Sequence, residues 1–435
     1  MTMLLRFRVT NWASLRDEQE LSLVASDRHD DLALRDVPGT GLRVLPVVGV
    51  FGANASGKSK LVHAMFYARS VVLLSQQKWT PNAPTRREPF LLDSESAAQP
   101  SEFVFDLVIG GTRYEYGFAL DHSRITGEWL YGWPHGRIRT LFERSGPEQE
   151  DITIGPGLRK GFGTRTRTAR ESVRPNSLLV SAGAANNHPL LTEIYNWFER
   201  MGPAHDSNAE SRHKFTVEML KGERGAEARR LLRLADLGIT GVRSEEEREM
   251  PVEAATHLTE VLKILEPDAH DLDPGEWRLS PKIFVSHQTA EGEVELPYAV
   301  ESHGTQTWLE LLGPVLQALA TGRVLVVDEL DAYLHPNLAG QLVMLFQEPA
   351  TNPHGAQLVF NTHDATLLDR HSYGRLVRDQ VWLTEKDETG ATELIALREY
   401  KARNRDDVMH RYLLGRFGAV PVLNEENLPD FERAS

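Results

Sequence analysis

The chain has 435 residues, 41% of them hydrophobic and 25% charged, which is enough for a sizeable buried core and excludes a disordered chain. It contains no cysteine, which removes disulfides, zinc–thiolate sites, iron–sulfur clusters and any cysteine nucleophile, and makes the cytoplasm the expected compartment. A formal net charge of −14 argues against a uniformly basic nucleic-acid coat, and no window approaches 18 uncharged apolar residues, so neither a membrane span nor a secretory leader is expected.

In chain order, Leu5, Phe7 and Val9, then Leu21 and Leu23, alternate with polar residues and predict two strands joined through Asn11–Asp17. Val44–Phe51 is an apolar run of strand length, and Leu61, Ala64, Met65, Ala68 and Val72 recur at helical spacing within Ser59–Leu74. Glu102–Leu120 and Glu128–Phe142 read as antiparallel strands, with Gly110-Gly111 as a hairpin turn. Residues 145–175, rich in Gly, Thr and Arg, read as a long loop. Leu190–Met201, Phe215–Leu237 and Ala254–Leu265 have the period of helices, with the acidic run Glu245–Glu249 between the last two. Ile283–Val285 and Glu293–Val300 return to strand character. From Thr305 the order is helix, strand (Val324–Val327), helix, strand (Gln357–Asn361), the alternation of a mostly parallel sheet.

Gly52-Ala53-Asn54-Ala55-Ser56-Gly57-Lys58-Ser59 fits G-x-x-x-x-G-K-[ST] between a predicted strand and a predicted helix. Glycines there let backbone amides converge on phosphate oxygens, Lys58 reaches the β- and γ-phosphates, and the Ser59 hydroxyl ligates magnesium. The expected nucleotide contacts run over Gly52, Asn54, Ala55, Ser56, Gly57, Lys58, Ser59 and Lys60. A plain glycine-rich turn is the alternative, and the flanking elements weigh against it.

Val324–Val327 ends in Asp328 and Glu329, two adjacent carboxylates where a parallel sheet builds nucleotide sites. Asp328 is expected to hold magnesium through water and Glu329 to act as general base toward the attacking water; the plain alternative is a pair of helix caps. His363, after the strand Leu358–Asn361, is placed to contact a γ-phosphate or the water beside it, and on its own would read as a capping residue. Ser302 and Gly304 precede a helix, where Ser302 or Thr305 could serve only as N-cap. Arg159, Lys160, Arg165, Arg167, Arg170 and Arg174 form a basic run that suits nucleic-acid phosphates, an acidic partner, or simply solvent. H-E-x-x-H, G-x-S-x-G and zinc-finger spacings are missing.

The order Walker A (Gly52–Ser59), signature-like turn (Ser302–Gln306), Walker B (Val324–Glu329) and switch histidine (His363) resembles that of ATP-binding cassette ATPases. The insertion over residues of about 75 to 280 is similar to those of chromosome-maintenance, RecF-like and OLD-like ATPases, without heptads for long arms. Over nearly its whole length the chain resembles the RloA-like and AbiL-like group of AAA-family ATP-binding proteins found in prokaryotic anti-phage loci. The landmarks are Phe7–Trp12, Ala235–Ile239, Glu301–Thr305, Asp328–Asp331 with Leu334–Pro336, Arg378–Trp382 and Gly415–Pro421.

That resemblance implies an α/β fold, an ATP-binding cassette-type P-loop ATPase head with an antiparallel β-subdomain and a helical insertion. The core would be split between 1–75 and 281–435, with the antiparallel part at 76–145 and the insertion at 146–280. It implies ATP and Mg2+ as cofactors, with Ser302 and Gly304 meeting the γ-phosphate of a nucleotide held by an opposing subunit. A homodimer or higher homo-oligomer, and a nuclease or toxin effector encoded nearby, follow from the same resemblance. No membrane partner is expected. DNA remains open as a partner, through the alternative of a RecF-like clamp in repair or recombination. Leu334-His335-Pro336 departs from the Ala-Leu-Asp common in transporters, Gln76, Gln77 and Gln99 compete as the lid glutamine, and the roughly 70 residues after His363 are too few for a separate nuclease domain.

Overall fold

A computed structural model describes residues 2–26, 32–159, 163–203, 217, 219–222, 225–235, 238–245, 248–249, 251–265, 278–279, 282–400 and 407–420. Lys160, Phe215, Asp236, Leu237, Glu246, Glu247 and Pro421 lie outside the described residues. The chain divides into two compact units, one of residues up to Pro203, Gln317–Asp331 and from His335 onward, the other of Ala204–Leu316 and Ala332–Leu334.

The first unit opens with β1 (Thr2–Thr10), β2 (Gln19–Ser22), β3 (Val47–Gly52) and helix α1 (Lys58–Leu74). Five strands follow: β4 (Ser101–Ile109), β5 (Thr112–Leu120), β6 (Ile125–Gly132), β7 (Arg139–Arg144) and β8 (Ile152–Ile154). With the first two they make a seven-stranded antiparallel sheet, β8-β7-β6-β5-β4-β1-β2, in which β1 pairs with both β2 and β4. Helices α2 (Gly163–Ser172), α3 (Leu179–Ala185) and α4 (Pro189–Arg200) come next, then the short strand β9 (Gly202–Pro203). Helix α4 sets Phe198 against Phe105, with ring centroids 4.9 Å apart, and Phe105 against Phe7 at 4.8 Å continues an aromatic core.

The second unit carries α5 (Gly225–Leu234), β10 (Ile239–Ser244), α6 (Val252–Leu265), β11 (Ile283–Thr289) and β12 (Gly292–Pro297). β10, β11 and β12 form a three-stranded antiparallel sheet. The strand expected over Glu293–Val300 stops at Pro297, whose ring cannot donate to a ladder, and a 3-10 turn takes Tyr298–Val300.

Helix α7 (His303–Thr321) precedes β13 (Val324–Val327), α8 (Pro336–Gln347), β14 (Gln357–Asn361), β15 (Val381–Lys386), β16 (Thr392–Ala396) and α9 (Val408–Leu413). The six-stranded sheet of the first unit is ordered β9-β13-β14-β3-β15-β16, parallel throughout except for the final pair. Every residue of β3, β13 and β14 is buried, which explains why these strands are apolar without alternation, save for Gln357 and Asn361 at the ends of β14.

The long loop expected over 145–175 contains structure instead: β8, a helical turn at Pro156–Arg159, and α2. Helix α2 buries only Thr166 and Ala169, so it has almost no apolar periodicity to read. It is held by the Thr166 hydroxyl, which lies 3.1 Å from both the Leu158 carbonyl oxygen and His188 Nε2. Among the described residues no helix is long and apolar enough to cross a membrane.

Candidate nucleotide site

Three adjacent parallel strands end together. β3 stops at Gly52, β13 at Val327 and β14 at Asn361, so whatever follows each strand emerges on one edge of the sheet. The loop after β3 turns through left-handed residues at Ala55 (φ 62°) and Gly57 (φ 107°), a geometry that directs successive amides into one concavity at the start of α1.

Gly52 and Gly57 are glycines for a steric reason, because a Cβ would collide with Thr384 Oγ1 at the first and Thr392 Oγ1 at the second. These threonines, on β15 and β16, also tether the loop: Thr384 Oγ1 lies 2.6 Å from Ser56 Oγ, and Thr392 donates to the Ser56 carbonyl at 2.8 Å. Sequence reading missed both, since threonine in a strand is ordinary.

Buried Lys58 donates to the carbonyls of Gly52 and Ala53 at 2.8 and 2.9 Å. Burial pulls its ammonium down to about 8, against the raising influence of Asp331, Glu329 and Asp328. Asn54 and Ala55 are exposed on the loop, while Lys60 faces Glu88 at 3.4 Å.

The side chain that organises the carboxylates is Asn361, wholly buried at the end of β14. Its Nδ2 donates to Asp328 Oδ1 at 2.5 Å and lies 3.4 Å from Ser59 Oγ, and its Oδ1 accepts the Glu329 N–H at 2.5 Å. His63 Nε2 on α1 lies 3.1 Å from Asp328 Oδ2. Burial pushes the Asp328 carboxyl up, but hydrogen bonds from His63, Asn361 and Ser59 outweigh it and hold the group below its usual range. Ser59 and Asp328 thus stand side by side as a hydroxyl and a carboxylate, a donor set that fits magnesium shared with nucleotide phosphates.

Glu329 is exposed and left-handed (φ 54°), so the chain turns off the strand direction immediately after Asp328 and separates the two carboxylates. His363 is exposed two residues beyond Asn361, its N–H donating to both Asp331 carboxylate oxygens at 3.2 and 3.3 Å.

Ser302 and Gly304 belong to the second unit. The Ser302 hydroxyl accepts the Thr305 N–H at 3.2 Å, a helix cap at the start of α7. A Cβ on Gly304 would stand 2.8 Å from the Tyr333 carbonyl, and the His303 ring stacks on Tyr333 at 5.2 Å. Of the competing glutamines, Gln76 bonds Ser172 O and Ser177 Oγ at 3.1 and 2.6 Å, and Gln77 bonds Tyr195 at 3.3 Å. Half of the basic run serves the fold: Arg165 and Arg170 donate to the carbonyls of Asn187 and Gln149, and Arg174 to those of Ser75, Gln76 and Trp79.

A strand, an amide-lined loop with a buried lysine, and paired carboxylates at the end of the next strand but one have the fold of a P-loop ATPase head of the ATP-binding cassette type, here with an antiparallel β-subdomain. The model of the family described as "AAA domain, putative AbiEii toxin, Type IV TA system" matches residues 47–369, about three quarters of the chain, and the chain belongs to that family. No curated protein matches it.

Among solved structures, the chain is similar to the SMC head domain from Thermotoga maritima, at 10% identity and a TM-score of 0.37, over 90% of this chain and 98% of that one. It is similar to an SmcHead bound to the C-winged helix domain of ScpA, at 13% identity and 0.38, over 90% and 96%. A third similar structure is the Smc head domain with an extended coiled coil bound to the C-terminal domain of ScpA, derived from Pyrococcus furiosus, at 10% identity and 0.39, over 96% and 100%.

Proposed function

We propose that the protein is a magnesium-dependent ATPase whose two nucleotide sites form between head-to-head subunits, so that nucleotide state switches a protein effector in prokaryotic anti-phage defence. The observation that carries the hydrolytic part is the tie from buried Asn361 to Asp328, the Glu329 amide and Ser59 at one sheet edge. Bound magnesium would neutralise phosphate charge. Lys58 and the loop amides bind and orient the phosphates, Ser59 and Asp328 hold the metal, and Glu329 accepts a proton from the attacking water at its carboxylate. His363 supplies a hydrogen bond near the γ-phosphate, and Ser302 and Gly304 close the site from the other subunit. The family's description, with its toxin of a Type IV TA system, supports the defence setting.

The test is steady-state ATP hydrolysis by wild type and Glu329→Gln, with and without duplex DNA at low salt, alongside gel filtration with ATP. Expected are loss of turnover by a factor of about 10² to 10⁴ in the variant, accumulation of an ATP-dependent dimer, and indifference to DNA. Turnover untouched by the substitution would sink the assignment. Strong stimulation by DNA would favour a RecF-like clamp, a reading the arginines committed to carbonyls support poorly.

A further inference from the structure

Residues 407–420 hold most of the Gly415–Pro421 landmark, and the site described so far gives them no task. Asp407 caps α9 through Oδ1, which accepts the His410 N–H at 2.9 Å. Beyond the helix, Gly415, Gly418 and Ala419 are all left-handed, at φ 69°, 65° and 57°, and curl the chain into a tight turn.

The turn is fastened on several sides. The Glu385 carboxylate accepts the Ala419 N–H and occupies the space where any Cβ on Gly418 would fall. Tyr400 donates to the Phe417 carbonyl at 2.9 Å, and its ring meets the buried Phe417 ring at 5.3 Å. Tyr412 is buried; its oxygen faces the Gly52 amide and donates to the Ala419 carbonyl at 3.2 Å, while its ring meets Phe51 edge-on at 6.2 Å.

Both anchor points adjoin the phosphate loop. Gly52 is where β3 becomes that loop, and Glu385 follows Thr384, whose hydroxyl touches Ser56. Helix α9 also packs on the 3-10 turn Ala365–Leu368, which begins two residues after His363. The two strands from which the loop hangs and the segment behind the histidine are therefore braced by one C-terminal turn.

We propose that this turn is a brace that sets the mouth of the phosphate loop, with Tyr412 and Glu385 as positioning residues. Tyr412 fixes the direction of the Gly52 amide, and Glu385 fixes the backbone turn that holds the Tyr412 hydroxyl. The assignment rests on the reading that the loop binds a nucleotide, and it concerns affinity and geometry, not proton transfer.

The experiment titrates full-length wild type, Tyr412→Phe, Glu385→Gln and the double variant with a fluorescent ATP analogue, and records melting temperature, KM and kcat. Tyr412→Phe keeps the ring against Phe51 and loses only the polar contacts of the hydroxyl, so the fold persists. Each single variant is expected to raise Kd and KM about two- to tenfold, with kcat affected less. The double variant should be no worse than the more affected single one, because both residues act through one turn. A purely stabilising role would lower the melting temperature and leave Kd and KM of the folded protein unchanged; that result overturns the proposal. Wild type that binds no nucleotide overturns the functional reading itself, and this one with it.

Discussion

Asn361 shows how much a single buried amide can decide. Alanine there leaves the Glu329 N–H and one Asp328 oxygen without partners, and both carboxylates lose their fixed direction. Turnover by Asn361→Ala should fall about 10²-fold with a smaller change in nucleotide affinity, checked by steady-state kinetics beside a binding titration. Its role was illegible beforehand because a polar residue ending a strand looks like any terminus; only the parallel register Val327↔Phe360 brings it to Asp328. The glycine-rich loop between strand and helix, by contrast, was legible from its residue types and spacing.

Lys58 gives a pH signature. Its folded value of about 8 lies below the unfolded value of about 10.4. The unfolded chain therefore binds more protons between the two, and stability rises with pH across that window. Lys58→Met should melt higher than wild type near neutral pH without nucleotide, the gap narrowing as pH climbs from about 8 toward 10. Nucleotide protection against melting should vanish in the same variant. A gap independent of pH would show that burial of this ammonium is not what the substitution relieves.

Among the elements, α3 depends on a charge taken from another strand. Glu128 on β6, wholly buried, accepts the N–H groups of Leu179 and Val180 at 2.6 and 3.1 Å and the Tyr116 hydroxyl at 3.0 Å. Buried Arg144 on β7 lies 3.8 Å away and donates to the Gly146 and Ser177 carbonyls. Burial raises the Glu128 carboxyl despite these partners, first among them Arg144. Glu128→Ala should cost about 3–5 kcal/mol, because it leaves Arg144 unpaired and the first turn of α3 uncapped, whereas Glu128→Gln should cost less; denaturant unfolding of both measures it.

This network was not legible, because Glu128 and Arg144 stand in half-polar strands whose partners are set by pairing. The alternation in β1 likewise announces a strand and its buried face but not both its neighbours: β1 pairs with β2 and also with the distant β4, while β3, which comes between them in sequence, joins the other sheet. Helix α2 was hidden for the opposite reason. It is an arginine- and threonine-rich helix that buries two small side chains and is fixed by hydrogen bonds, so hydrophobic period carries no trace of it.

At the scale of the whole molecule, the strand ends of the site come from Val47–Gly52, Val324–Val327 and Gln357–Asn361, and a brace from residues 407–420 closes behind them. Contacts at such sequence separation form late in folding, after the entropy of a very long loop has been overcome. On the ribosome, the amide-lined loop emerges long before β14, which docks beside β3, and β13, which docks on β14. A chain interrupted before Val324 therefore carries an intact glycine-rich motif yet neither Asp328 nor Glu329 to complete the strand edge.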